Sequence, residues 1–286
     1  MGHQKLLQPM ITVLVLLLLV GCVAPTPALD SAEAHINRGD AYVEKDEYDL
    51  AIAEFDKAIQ LKPDLADAYF GRGIAYYGKG DFAHAMAEFD KVIQLKPDYY
   101  YAYIARGLIY SEKGEYELAI ADYDQAIKLK PDYADDYFSR GRAYLGKGDL
   151  DRAVADFDKT IQLKPDLAHA YFNRAVAHNL KGEKEKALAD YDKAIQLKPD
   201  LADAYFGRGD AYLDKGDLDR AIADFDKAIQ LEADLLADAY FGRGTAYSLK
   251  GWKETAIADF KKVLELSDDP LLRQWSEEWL KALGAR

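Results

Sequence analysis

The sequence predicts an all-α solenoid of seven stacked helix-turn-helix units closed by one C-terminal helix. Three observations lead there. From Ala32 onward the chain repeats every 34 residues, with LADAYFGRG at 65–73, 201–209 and 236–244 and near copies of one second segment at 51–61, 119–129 and 221–231. Within a unit the apolar residues fall at helical spacing, as in Tyr69, Gly73 and Tyr76, then Phe82, Ala85, Phe89, Val92 and Ile93. No segment reads as a strand. A single helix pair cannot bury its own stripe, so the units must stack on one another.

Composition narrows the function before any motif is read. Of 286 residues, 37 are basic and 50 acidic, and half are hydrophobic, including 21 tyrosines and 11 phenylalanines. Such a chain buries a large core, and its negative charge excludes a protein built mainly to displace counterions from nucleic acid. One cysteine excludes an intrachain disulfide and a cysteine-rich zinc site.

Residues 1–21 carry a single charged group, Lys5, and Met10–Val20 is an apolar run broken only by Thr12. The run is short for a membrane span and suits a signal peptide. It ends in Leu19-Val20-Gly21-Cys22, which resembles the lipobox of bacterial lipoproteins. That resemblance implies cleavage before Cys22, lipid on its sulfur, and a protein anchored at the extracytoplasmic face of the bacterial cell envelope. The alternative is an ordinary secretory signal in which Cys22 is incidental. Residues 22–31 then form a tether containing two prolines, Pro25 and Pro27.

The units run 32–65, 66–99, 100–133, 134–167, 168–201, 202–236 and 237–270. Between the two helices of units two, four and six stands KGD (79–81, 147–149, 215–217), a glycine to end one helix and an aspartate to cap the next. Most units close on Leu-Lys-Pro-Asp, as at 61–64 and 163–166, where lysine suits a helix C-terminus, proline stops it and aspartate is expected to cap the helix that follows. At the join of units six and seven the proline is lost and one residue gained over 231–236, which predicts a helix running on by about a turn. Residues 271–286, with Leu272, Trp275, Trp279 and Leu283 at helical spacing, read as the closing helix.

Small residues at Gly73 and Ala85, with Tyr69, Tyr76, Phe89 and Pro97 around them, make this pattern resemble the tetratricopeptide repeat family over Ala32 to Pro270. The resemblance implies a right-handed superhelical solenoid and a protein-interaction scaffold, not an enzyme. Departures concentrate at the ends: His35 replaces tyrosine and Asp46 the turn glycine in unit one, and Trp252 and Asp268 alter unit seven. In all units an arginine (Arg38, Arg72, Arg106, Arg140, Arg174, Arg208, Arg243) stands where the family has an aliphatic residue. Sixteen places later an acid recurs, from Glu54 and Glu88 to Asp259. We read these as structural ion pairs that set register more than they add stability.

In that family the first helices line a concave groove for a peptide or a partner's helix. By resemblance the groove here holds Phe70, Ile104, Phe138, Phe172, Phe206 and Phe241, with Ile36 in unit one. Asp67, Tyr101, Asp135, His169, Asp203 and Asp238 lie on an adjoining strip, and Arg142, Asn173 and Asn179 in units four and five are the most individual features of this surface. Aromatics edged with carboxylates suit a partner with apolar anchors and basic residues. An alternative is a substrate-capture lipoprotein for short peptides or glycans. Gly73–Lys79 and Gly141–Lys147 imitate the start of a phosphate-binding loop, but lie inside helical text and lack the following Ser or Thr, so no nucleotide is expected. The histidines do not cluster, and neither a metal, a cofactor nor a catalytic residue is expected. His178 and His35 read as packed residues, and His169 as solvated or part of a binding face.

Overall fold

The computed structural model describes residues 30–231 and 236–285. Among them all regular structure is helical, in fifteen helices, and the chain forms two compact units, Met1–Lys147 and Gly148–Arg286. The first holds α1 (Ala32–Val43), α2 (Tyr48–Leu61), α3 (Ala66–Gly78), α4 (Phe82–Leu95), α5 (Tyr100–Glu112), α6 (Tyr116–Leu129) and α7 (Ala134–Lys147). The second holds α8 (Leu150–Leu163), α9 (Ala168–Leu180), α10 (Lys184–Leu197), α11 (Ala202–Asp214), α12 (Leu218–Leu231), α13 (Leu236–Leu249), α14 (Lys253–Leu266) and α15 (Pro270–Ala282). Within each unit every helix packs on its chain neighbours, and first helices such as α1 and α3, or α11 and α13, also touch one another. The extended helix expected over 231–236 falls largely outside the described residues, as do the apolar run and Cys22.

Local chemistry accounts for the hairpins. The glycine after each first helix sits in the left-handed region, as at Gly80 (φ 78°) and Gly216 (φ 77°), a conformation that costs other residues about 1–2 kcal/mol. Asp46 is the described non-glycine residue there, at φ 58°. Asp81 and Asp149 accept from the backbone N–H of His84 and Arg152 and cap α4 and α8. The aspartate of Leu-Lys-Pro-Asp does not act as expected. The N-cap of α3 is Leu65, with no side-chain bond, and Tyr99, Leu167 and Leu201 serve likewise before α5, α9 and α11. At several of these caps burial replaces polar capping, since Tyr99 and Leu201 are in the core. The turn is held from outside instead, by Tyr69 donating to the carbonyl of Pro63 and Tyr103 to that of Pro97.

Stacking is built on one ring per repeat. Phe55, Phe89, Phe157, Phe225 and Phe260 are fully buried, and Tyr123 and Tyr191 hold the same place. Phe225 lies between Gly209 of its own first helix and Gly242 of the next; a Cβ would come within 3.1 Å of the ring at the first and 2.6 Å at the second. Phe55 is held in the same way between Gly39 and Gly71. Small residues thus let the ring bridge consecutive repeats.

The arginines bridge them a second time. Arg106 donates from Nη2 and Nε to Asp122 of its own repeat, at 2.6 and 2.8 Å, and from Nη1 to Asp90 of the preceding repeat, at 2.5 Å. Arg174, Arg208 and Arg243 repeat the arrangement with Asp158, Asp192 and Asp226 behind them, and Arg72 varies it, donating from Nη1 to Asp56 and from Nη2 to both oxygens of Glu88. Asp124 is bound by Arg140 in the same way, and Arg38 binds Glu54. Each guanidinium from Arg72 to Arg243 also lies about 5–6 Å from the ring of the tyrosine three places earlier, as with Arg208 and Tyr205. Asp122 and then Asp90 hold Arg106 charged well above its ordinary range, against the opposing effect of burial.

Gly242→Ala should destabilise the protein by about 1–3 kcal/mol by overpacking, despite better helix propensity. Gly216→Ala, where nothing lies within 4 Å, should cost about 1 kcal/mol from the backbone alone. Chemical denaturation of both, each combined with Phe225→Leu, separates them: coupling is expected for Gly242 and additivity for Gly216.

Candidate functional site

The first helices carry the predicted groove residues, and the structure divides them. Phe70 is 1% exposed and Ile104 5%, so both belong to the core and present no docking surface. The reason is local: Tyr99 and Tyr101 fold over Phe70, with ring centroids 5.2 and 6.4 Å away. In the second unit Leu201 and Asp203 stand at the corresponding places after Phe172, and Phe172, Phe206 and Phe241 stay half-buried. Each rests one edge on the bridging ring of its own repeat, at 6.1, 5.8 and 5.7 Å respectively. Phe138 in the first unit is also half-buried. Trp275 of α15 lies 6.2 Å from Phe241 and is 47% exposed, so it continues the second unit's stripe. The sequence reading placed Trp275 in the cap alone; its helical spacing could not show which neighbour it met.

Carboxylates flank these rings. Asp67, Asp135 and Asp238 are exposed and Asp203 half-buried. Asp67 accepts 2.8 Å from the hydroxyl of Tyr99. Two further acids that the sequence did not single out, Asp40 and Asp210, lie on the same helices seven residues on from the strip position. Asp40 titrates at about 6, raised by burial and then by the charges of Asp67 and Glu44. Burial is also the main cause lifting Asp203, Asp210 and Asp238, with Asp214 adding to it at Asp210 and Asp269 at Asp238. His169 and then Lys198 oppose this at Asp203, and Lys184 at Asp210, without overcoming burial, whereas the buried acids beside Arg106 and Arg208 are closely paired. Periodic acids in the text look alike, and only packing distinguishes a partnered carboxylate from a desolvated one.

The remaining predicted residues are less engaged with solvent partners. Asn173 donates its amide to the carbonyl of His169 at 2.8 Å, and Arg142 is exposed. His169 is half-buried and faces Asp203, whose titration it lowers. His178 and His35 are buried, His178 against Glu183 and His35 against Glu54. Gly73–Gly78 and Gly141–Lys147 lie within α3 and α7, where no loop can cradle phosphate. Among the described residues no group of three histidine, cysteine or acidic side chains could hold a metal ion, and no helix is long and apolar enough to cross a membrane.

Asp40 gives a test with a defined sign. Its folded-state value of about 6 exceeds the ordinary 3.8, so the fold loses stability as pH rises from about 4 through 6. Asp40→Asn should raise stability by about 1–2 kcal/mol at pH 7.5, the shift being discounted for solvent access, and leave it unchanged at pH 3.5. Thermal melts at the two pH values check this.

Profiles described as TPR repeat match residues 39–80 and 107–148, and profiles described as tetratricopeptide repeat match 66–99, 138–202, 202–235 and 237–270. No curated protein matches the sequence. Among solved structures, YrrB, described as a TPR protein with an unusual peptide-binding site, is 28% identical with a TM-score of 0.56, over 61% of this chain and 90% of its own. A tetratricopeptide repeat protein from Parabacteroides merdae is 23% identical with a TM-score of 0.67, over 88% of this chain and 98% of its own. MamA is 29% identical with a TM-score of 0.53, over 55% of this chain and 92% of its own.

Proposed function

The chain belongs to the tetratricopeptide repeat family, and on that premise we propose that it is a lipid-tethered scaffold whose first helices receive a basic, partly apolar segment of a protein partner. Proteins of this family bind protein or peptide partners, as the description of YrrB illustrates. The observation that carries the finer reading is the placing of half-buried phenylalanines beside carboxylates whose pKa is raised, first of all by burial. Phe206 stands between Asp203 and Asp210, and Phe241 stands near Asp238. A carboxylate held partly out of water, such as Asp203 or Asp210, costs stability in the free protein, and a lysine or arginine arriving beside it recovers that cost. Rings next to it supply the apolar anchor sites. Nothing here calls for covalent chemistry, and the scaffold reading needs none.

The location rests on the sequence. The chain's single cysteine closes an apolar run of the length of a signal peptide, and two or three acyl chains at Cys22 would give a stable anchor. The short tether would hold the acidic body near the bilayer but off an anionic surface, outside the cytoplasm.

Two experiments test these parts separately. The triple variant Asp203→Asn, Asp210→Asn, Asp238→Asn should lose a partner captured from host envelope extract by the parent, while melting at a higher temperature at pH 7.5. A partner retained unchanged by the triple variant would refute the site. Eluates identical and empty for both would favour the short-peptide or glycan reading instead. Cys22→Ser should move the protein from the membrane to the soluble fraction of the host; an unchanged distribution would remove the lipid anchor from the account.

A further inference from the structure

In the first unit three tyrosines surround one ammonium. Lys130, the C-cap of α6, places Nζ 4.2 Å from the ring centroid of Tyr100, 4.7 Å from Tyr101 and 5.0 Å from Tyr133. Tyr100 and Tyr101 meet edge to face at 4.9 Å, and Tyr100 and Tyr133 lie 5.6 Å apart. A cation held between several aromatic faces is attracted by each ring quadrupole.

This arrangement is particular to one place in a nearly uniform chain. Tyr100 opens its repeat where all six other units have alanine, and Asp136 stands where all six others have alanine. The two departures answer each other: the hydroxyl of Tyr100 donates to Asp136 Oδ1 at 2.6 Å. Asp136 is 3% exposed, and its second oxygen, Oδ2, has no partner. Donation to a buried carboxylate makes the Tyr100 ring richer in electrons, and the nearby negative charge favours a positive one against the ring.

Lys130 fits this cage poorly in one respect. Among the described residues its ammonium makes no hydrogen bond or ion pair, although it carries three N–H donors and is strongly hydrated in water. It is there because the chain tethers it, at an effective concentration on the order of millimolar. A cation with methyl groups in place of N–H forfeits no hydrogen bonds among the rings and meets them with apolar surface.

We propose that Tyr100, Tyr101 and Tyr133 form a binding site for a quaternary ammonium group, with Lys130 as a tethered placeholder that the ligand displaces. The ligand's head is a trimethylammonium, as borne by choline-type small molecules or by a trimethylated lysine of another protein. The carboxylate of Asp136, bonded to Tyr100, disfavours a head that also carries a carboxylate. The proposal is independent of the phenylalanine site in the second unit, which it neither uses nor requires.

The test titrates tetramethylammonium chloride into the full chain and into Lys130→Ala, at constant ionic strength, following the N-methyl proton signal by NMR. Lys130→Ser substitutes if the alanine variant melts early. Binding between rings should move the signal upfield and saturate in the lysine variant, about tenfold more weakly in the parent. The shift should vanish when Tyr101→Ala and Tyr133→Ala are added. Choline should bind the lysine variant about tenfold more tightly than its neutral isostere 3,3-dimethylbutanol. Comparing choline with a trimethyllysine peptide then identifies which source supplies the head. No saturable shift in a folded lysine variant, or equal affinity for the neutral isostere, would overturn the proposal.

Discussion

The fold depends on a ring seated between two small residues of different helices. Phe225 touches Gly209 and Gly242, and Phe55 touches Gly39 and Gly71, so the side chain that closes one hairpin also fixes the next. Burying a phenylalanine fully contributes about 1.5–3 kcal/mol, more than any exposed ion pair nearby. It is non-directional, however, and a smooth ring against glycine would tolerate some sliding. The guanidinium beside it does not. Arg106 meets a buried carboxylate of its own repeat and an exposed one of the repeat before. Such a bridge has one satisfactory geometry and adds little net energy. Burial therefore drives the stacking and the arginine selects its register.

This division explains which features were legible in the text. Period, helix pairs and closing helix follow from spacing, because every repeat solves the same packing problem. Half of each arginine bridge was legible too. The acid sixteen places downstream is legible, but Asp56, Asp90 and their equivalents, sixteen or seventeen places upstream, look like any other acid on a periodic helix face. They follow the bridging ring directly, and that adjacency was the available signal. The caps misled for a similar reason. Aspartate before a helix is a sound capping signal, but here leucine or tyrosine takes the position and several of them are buried.

The candidate surface was legible only as a stripe. Equivalent positions gave Phe70 and Phe172 the same expectation, and they differ because Tyr99 and Tyr101 cover the first while Leu201 and Asp203 stand at the corresponding places after the second. A side chain's exposure in a stacked array is set by the following repeat, so similarity within a unit does not transfer. The same logic separates Asp122, closely paired with Arg106, from Asp210, whose burial Lys184 opposes without overcoming. In a repeat protein, function resides in the residues that fail to match their copies or that match but lose their partner.

The C-terminal end shows how such an array stops. The residue after the bridging ring is an aspartate in the first six repeats and Lys261 in the seventh. A further arginine-bearing helix would meet a lysine there, and like charges would oppose it. The helix that does follow brings Ser276, fully buried, and Trp279, whose ring stacks on Phe260 at 5.6 Å with the planes 7° apart. An aromatic lid thus covers the last ring where another repeat would have offered glycine. Its outer side keeps Leu271 and Trp275 exposed, and Trp275 lies beside Phe241. The closing helix therefore covers the last ring of the second unit and lengthens its aromatic stripe, so one helix serves both the packing and the surface.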